Sequence, residues 1–180
     1  MKMKALLRPA AAIAAAALIL LGVSRLLAPV AQSNAQAELE ATMTALLPGS
    51  TSFAQEEYTG EDAAIRAAYK ADNGYVIETV TAGYAGDITM LVGVNNEGQV
   101  TGLMVRQISE TFGLGDRART DTGFLSQFLG TSGEAAVGDT VDAITGATVT
   151  SKAVTKAVNA AVAFVTGADV SSGATEWGDW

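Results

Sequence analysis

GYVIETVTAGYAGDITMLVGVNNEGQVTGLMVRQI, residues 74–108, is the part of this chain that most strongly specifies its architecture. Tyr75-Val76-Ile77-Glu78-Thr79-Val80 and Ile88-Thr89-Met90-Leu91-Val92-Gly93-Val94 are rich in β-branched and large apolar residues. Such runs fit the pleated, half-buried surface of a sheet. Asn95-Asn96-Glu97-Gly98 has turn chemistry, and residues 100–108 supply a third run. The second and third runs should therefore pair as an antiparallel hairpin.

Towards the C-terminus, Phe124, Leu125, Phe128 and Leu129 predict a short amphipathic helix capped near Asp121. Val141-Asp142-Ala143-Ile144 reads as a last strand. Residues 151–165 predict the clearest helix, with Val154, Ala157, Val158, Ala161, Val162 and Val165 as its buried stripe and Gly167 as its stop. Towards the N-terminus, residues 33–47 carry Leu39, Met43, Leu46 and Leu47 at helical spacing, and Pro48-Gly49 ends them. The AAIRAAYKA segment, residues 63–71, reads either as a short helix or as an edge strand. The expected class is α+β: one mainly antiparallel sheet with flanking helices, following an N-terminal transmembrane anchor.

That anchor is read from PAAAIAAAALILLGVSRLL, residues 9–27. A spanning helix needs about 20 mostly apolar residues; residues 9–23 give 15 without charge, and Arg25 can snorkel to extend them. Lys2, Lys4 and Arg8 favour a cytoplasmic N-terminus. The alternative is a cleaved signal peptide, for which Ala35-Gln36-Ala37 offers an A-x-A site. Either reading exports the following domain; the first makes the protein a single-pass component of the inner or plasma membrane. The expected organisation is residues 1–30 as cytoplasmic N-terminus and anchor, 31–73 as helical linker and domain entry, 74–167 as the core, and 168–180 as a flexible tail.

Composition excludes much chemistry. The 180 residues contain no cysteine and no histidine, so there is no disulfide framework, thiolate nucleophile or histidine base. No catalytic residue and no metal ligand set is read from the chain. The four cations before Glu38 are followed by seven more against nineteen carboxylates, so the remainder carries −12. So acidic a body does not suit nucleic acid.

Two segments carry chemistry. Ser109-Glu110-Thr111-Phe112-Gly113-Leu114-Gly115 follows a strand, and its two glycines permit close backbone approach to a ligand, with Glu110 and Thr111 offering polar contacts. The same loop also reads as a plain structural turn. Asp142-Ala143-Ile144-Thr145-Gly146-Ala147-Thr148-Val149-Thr150-Ser151-Lys152 precedes the long helix. Small residues expose the Thr148 hydroxyl to the free N–H groups of a helix start, where a phosphate is stabilised, and Lys152 lies one turn on. As residues alone, this segment reads first as a simple N-cap cluster, since threonine and serine favour helix starts.

Together the two segments resemble the FMN-binding domain family, found in the G subunit of the Rnf electron-transport complex and the C subunit of the sodium-translocating NADH:quinone reductase. Asp-x-x-Ser/Thr-Gly-Ala-Thr followed by x-Thr-Ser is that family's flavinylation motif, and Glu-Thr-Pro-Gly-Leu-Gly is its glycine loop. A Gly-Tyr pair at Gly83-Tyr84 and a Val-Gly hairpin stand in the same order. Phe112 replaces the usual proline, Ser109 a frequent histidine, and Thr145 the commoner serine.

The resemblance implies FMN joined through its phosphate to Thr148 by a separate flavin transferase. It also implies a cofactor environment of Asp142, Thr145, Gly146, Ala147, Thr150, Ser151, Lys152, Glu110, Thr111, Gly113, Leu114 and Gly115. The implied role is that of an electron carrier in an ion-translocating ferredoxin/NAD complex, with the complex's other membrane subunits as partners and no catalysis by the isolated chain. The C subunit of the Nqr-type reductase and a stand-alone extracytoplasmic flavin carrier are the alternatives. Asp169-Val170-Ser171-Ser172-Gly173-Ala174-Thr175 repeats the short pattern near the C-terminus. It is followed by Glu176 and no helix, so Thr148 is the preferred attachment residue.

Overall fold

The computed structural model describes Val23, Arg25, residues 33–60 and residues 62–168. Contacts divide the chain into two units, Met1–Ala41 and Thr42–Trp180. Apart from Val23 and Arg25, the expected anchor lies outside the described residues, as does the second motif ending at Thr175. Among the described residues, no helix is long and apolar enough to cross a membrane.

Helix α1 covers residues 33–46 and stops at Pro48-Gly49, as its spacing predicts. Met43 and Leu47 are buried at its end. There the Thr101 hydroxyl donates to the Leu46 carbonyl at 2.6 Å, closing one of the carbonyls a helix end leaves open.

Five strands form one antiparallel sheet in sequence order: β1 Ala54–Glu56, β2 Ile65–Ala71, β3 Gly74–Ala82, β4 Asp87–Asn95 and β5 Val100–Ile108. The predicted hairpin is β4–β5, in which Val94 faces Val100 and Val92 faces Leu103. AAIRAAYKA resolves as strand β2. It is not the edge, because β1 pairs along its outer side with Ala54 opposite Lys70 and Glu56 opposite Ala68. β1 and β2 belong to the segment read as domain entry, yet they join the same sheet.

Helix α2 is Thr122–Ser126, and the Asp121 carboxylate accepts from the Phe124 N–H at 3.1 Å, the expected cap. Phe124 and Phe128 are buried edge-to-face, whereas Leu129 falls in the following turn and is exposed. Helix α3 is Thr148–Thr166, ended by Gly167 in the left-handed conformation. It starts earlier than its apolar stripe predicts. Val154, Ala157, Val158, Ala161 and Val162 are buried, but so are Ala153, Thr155, Asn159, Ala160 and Ala163. A helix buried nearly all round is a central core element. It packs on the face of β3 and β4 that carries Ile77, Met90 and Val92. The Thr81 hydroxyl donates to the Ala153 carbonyl at 3.0 Å across that contact.

The strand expected at residues 141–144 does not form. Val141 makes only an isolated bridge with Val137. Val141 and Ile144 are buried as the pattern requires. However, the Asp142 N–H donates to Gln127 Oε1 at 2.8 Å and the Ile144 N–H to Ser151 Oγ at 3.0 Å. Side chains take the groups a ladder would have used.

Candidate functional site

The site begins at the first turn of α3. Its N-cap is Ala147, with no side-chain cap. Three amides, those of residues 148–150, have no acceptor within the helix, and the Ser151 N–H is the first to close, onto the Ala147 carbonyl at 2.9 Å. The start is instead pinned from beneath. Buried Ser151 Oγ donates to the Ala147 carbonyl at 2.9 Å and accepts from the Ile144 N–H at 3.0 Å. The free amides therefore sit at the positive end of a 19-residue helix, with the exposed Thr148 as its first residue.

The glycine loop approaches from β5. The Glu110 carboxylate accepts the Tyr84 N–H at 2.6 Å and the Ala85 N–H at 3.3 Å, holding the turn after β3. Gly83 closes that turn onto the Gly86 carbonyl at 2.9 Å. A Cβ at Gly83 would collide with the Glu110 carboxylate. At Gly115 a Cβ would lie 2.6 Å from Thr150 Oγ1 and 2.9 Å from Glu110 Cβ, so the missing side chain lets the loop rest on the first turn of α3.

These contacts bound a groove of about 570 Å³ lined by Tyr84, Glu110, Thr111, Leu114, Gly115, Gly146, Ala147, Thr148, Val149 and Thr150. Eight of the residues implied from the sequence thus meet in one concavity. Five others lie outside its lining. Asp142 is tied through its backbone to Gln127, and Thr145 is exposed on the preceding turn. Ser151 is buried beneath the helix start, and Lys152 is half-buried one turn further on. Gly113 has φ +77° with nothing within 4 Å of a Cβ placed there, so it serves the turn rather than a close approach.

Sequence reasoning missed Tyr84 and Val149 as lining residues. The Gly83-Tyr84-Ala85-Gly86 turn was the available signal for Tyr84, because paired glycines around an exposed aromatic suit a tight loop.

The groove has hydroxyl and amide donors at the α3 start, beside Leu114, Ala147, Val149 and the Tyr84 ring. A ligand with an anionic end and a broad apolar body meets that division, and FMN is such a ligand. Residues 83–163 match the model of the FMN-binding domain family.

The chain is also similar to three curated relatives. It is 36% identical over 100 residues to the G subunit of the Na(+)-translocating ferredoxin:NAD(+) oxidoreductase complex of Acetobacterium woodii, covering 49% of this chain and 47% of that protein. It is 40% identical over 103 residues to the G subunit of the ion-translocating oxidoreductase complex of Aliivibrio fischeri, covering 51% and 49%. It is 41% identical over 99 residues to the G subunit of the proton-translocating ferredoxin:NAD(+) oxidoreductase complex of Clostridium ljungdahlii, covering 51% and 53%. The chain thus matches these relatives over about half of their length.

Proposed function

We propose that this chain is the FMN-carrying G subunit of an Rnf-type ion-translocating oxidoreductase, with FMN held as a phosphoester on Thr148. The observation that carries the reading is the groove: it joins the loop of residues 110–115 to the uncapped start of α3, and the exposed Thr148 stands in its wall. When bound, FMN supplies reversible electron uptake. The chain's own residues hold it. The amides of residues 148–150 donate to the phosphate end, and Leu114, Val149 and Tyr84 exclude water from the apolar part.

Attachment requires a flavin transferase. With FAD as donor, the Thr148 oxygen bonds to the FMN-side phosphorus, AMP leaves with its own phosphate, and the hydroxyl proton is released. A covalent link suits a carrier on the outer face, where a lost cofactor is not readily replaced. Residues 9–27 would tether the domain there, within a complex of other membrane subunits. A cysteine introduced by Ser172→Cys, the only thiol in the chain, should then react with an impermeant reagent on intact cells; labelling only after lysis would reverse the topology.

The deciding experiment supplies transferase and FAD to Thr148→Val and Thr175→Val chains. Flavin fluorescence surviving a denaturing gel should vanish in the first and persist in the second. Peptide mapping that places flavin on the C-terminal peptide would overturn the assignment.

A further inference from the structure

A second cavity, of about 480 Å³, lies at the other end of α3, beside Tyr58 and Asp62. A helical rise of about 1.5 Å per residue puts Thr166 roughly 27 Å from Thr148, so this cavity is separate from the groove. Ile65, Ala160 and Ala163 give it a buried apolar lining. Tyr58 and Phe164 also line it, their ring centroids 5.7 Å apart and their planes at 57°. A Cβ at Gly60 would collide with the Tyr58 ring, so the missing side chain lets the chain fold tightly against that ring. The Asp62 N–H then donates to the Tyr58 hydroxyl at 2.9 Å.

The backbone donors around this cavity are engaged. The Gly167 N–H closes onto the Ala163 carbonyl at 2.8 Å, and the Ala168 N–H donates to Thr166 Oγ1 at 3.3 Å. Acceptors are left over. Asp62 Oδ1 takes the Ala64 N–H at 2.8 Å, but Oδ2 has no partner among the described residues. The carbonyls of residues 164–166 have no donor within the helix. They form the negative end of the dipole of α3, and its last turn carries no basic residue.

A carboxylate oxygen, open carbonyls and aromatic rings all favour positive charge. The aromatic cluster already attracts one ammonium on its far side. Lys70 Nζ lies 5.6 Å from the centroid of Tyr75, whose ring meets Phe164 edge-on at 5.6 Å. A divalent metal ion takes about six oxygen ligands, which one carboxylate among apolar groups does not supply. Among the described residues, no three His, Cys, Asp or Glu side chains are grouped to hold one. The chain's own continuation does not bring the charge either: residues 169–180 contain three carboxylates and no Lys or Arg.

We propose that this cavity binds an organic cation, an ammonium or guanidinium group carried on an apolar stem. The stem lies against Ile65 and Ala160, and the charged head meets Asp62 and the last carbonyls of α3 beside the Tyr58 and Phe164 rings. A free amine and a cationic side chain of a peptide present this same chemistry. Flavin attachment at Thr148 has no part in the recognition.

The test titrates the isotope-labelled full chain in detergent with benzylammonium and follows the amide shifts of Asp62, Phe164 and Gly167. Saturable shifts are expected there and none at Thr148, Val149 or Thr150, with Thr148→Val binding the probe as the unaltered chain does. Benzyl alcohol, a neutral molecule of similar shape, should bind about fivefold more weakly or less. Asp62→Asn should weaken benzylammonium about fivefold and leave benzyl alcohol unchanged, and Phe164→Leu should weaken benzylammonium about threefold. Unmoved amide signals of Val154 and Ala157 verify that each variant is folded. A capped Gly-Arg-Gly peptide that binds more tightly than benzylammonium assigns the site to a protein side chain, and the reverse order assigns it to a free amine. Benzyl alcohol binding as tightly as benzylammonium overturns the proposal, as does a benzylammonium affinity indifferent to Asp62→Asn.

Discussion

Glu110 holds the groove together through the backbone. Its carboxylate accepts two N–H groups of the turn after β3, and its Cβ lies against the position a side chain at Gly115 would take. Glu110→Gln keeps the shape but weakens charge-assisted hydrogen bonds. In this half-exposed setting it should cost about 1 kcal/mol. The Tyr84 turn should loosen first, read as faster amide exchange at Tyr84 and Ala85 without loss of the global fold.

Gly115→Ala is harsher: its methyl meets Thr150 Oγ1 at 2.6 Å, so loop and helix must part. A loss of about 1–3 kcal/mol follows, together with a disturbed flavin spectrum in the loaded protein. Gly113→Ala meets open space and strains only φ, so it should cost about 1 kcal/mol and leave the spectrum unchanged. Urea midpoints and flavin absorbance of the two variants check this contrast. The sequence marked both glycines alike; which one touches α3 depends on the path of the loop.

At the scale of the element, α3 combines a core helix with an uncapped N-terminal end. Its interior valines fix its position against β3 and β4, while Ser151 fixes where it starts. Ser151→Ala deletes the acceptor for the buried Ile144 N–H, a loss of about 1–3 kcal/mol. The segment before α3 should then fray, lowering the rate of flavin attachment more than Thr175→Val does. A change in stability with an unchanged attachment rate would show that this hydrogen bond does not position Thr148. The sequence suggested the helix and its stop by apolar spacing and Gly167. The true start was less legible, because Thr148, Val149 and Thr150 are indifferent helix formers and tertiary hydrogen bonds decide their state.

Across the whole molecule, one sheet carries α3 on one face and a charged cluster elsewhere. Glu78 is buried between Arg66 and Arg106. Burial raises the Tyr69 pKa above its ordinary 10.0, and the nearby Glu78 carboxylate raises it further. The folded state therefore favours the neutral phenol. Its contribution is fully present below the unfolded value and is lost as pH rises through the raised folded one. Urea midpoints of the full chain should fall as pH rises past about 10, and Tyr69→Phe should flatten part of that fall. Lys70, whose pKa is raised by hydrogen bonding to Tyr75 and by Glu56, acts in the same direction.

By itself the sequence determined the three long strands, the β4–β5 hairpin, the C-terminal stops of α1 and α3, and the two motifs that bear on FMN. Apolar β-branched runs, turn chemistry and helical spacing are local properties, legible before any partner is known. Tertiary structure alone decided the rest. It placed β2 inside the sheet by setting β1 beside it, and it denied residues 141–144 a ladder by giving their amides to Gln127 and Ser151. It turned Glu110 towards the backbone of Tyr84 and Ala85, and it brought residues 110–115 onto the first turn of α3 to make the groove. Each of these depends on which distant backbone and side-chain groups are left free to pair, and that is settled only once the sheet and α3 have packed.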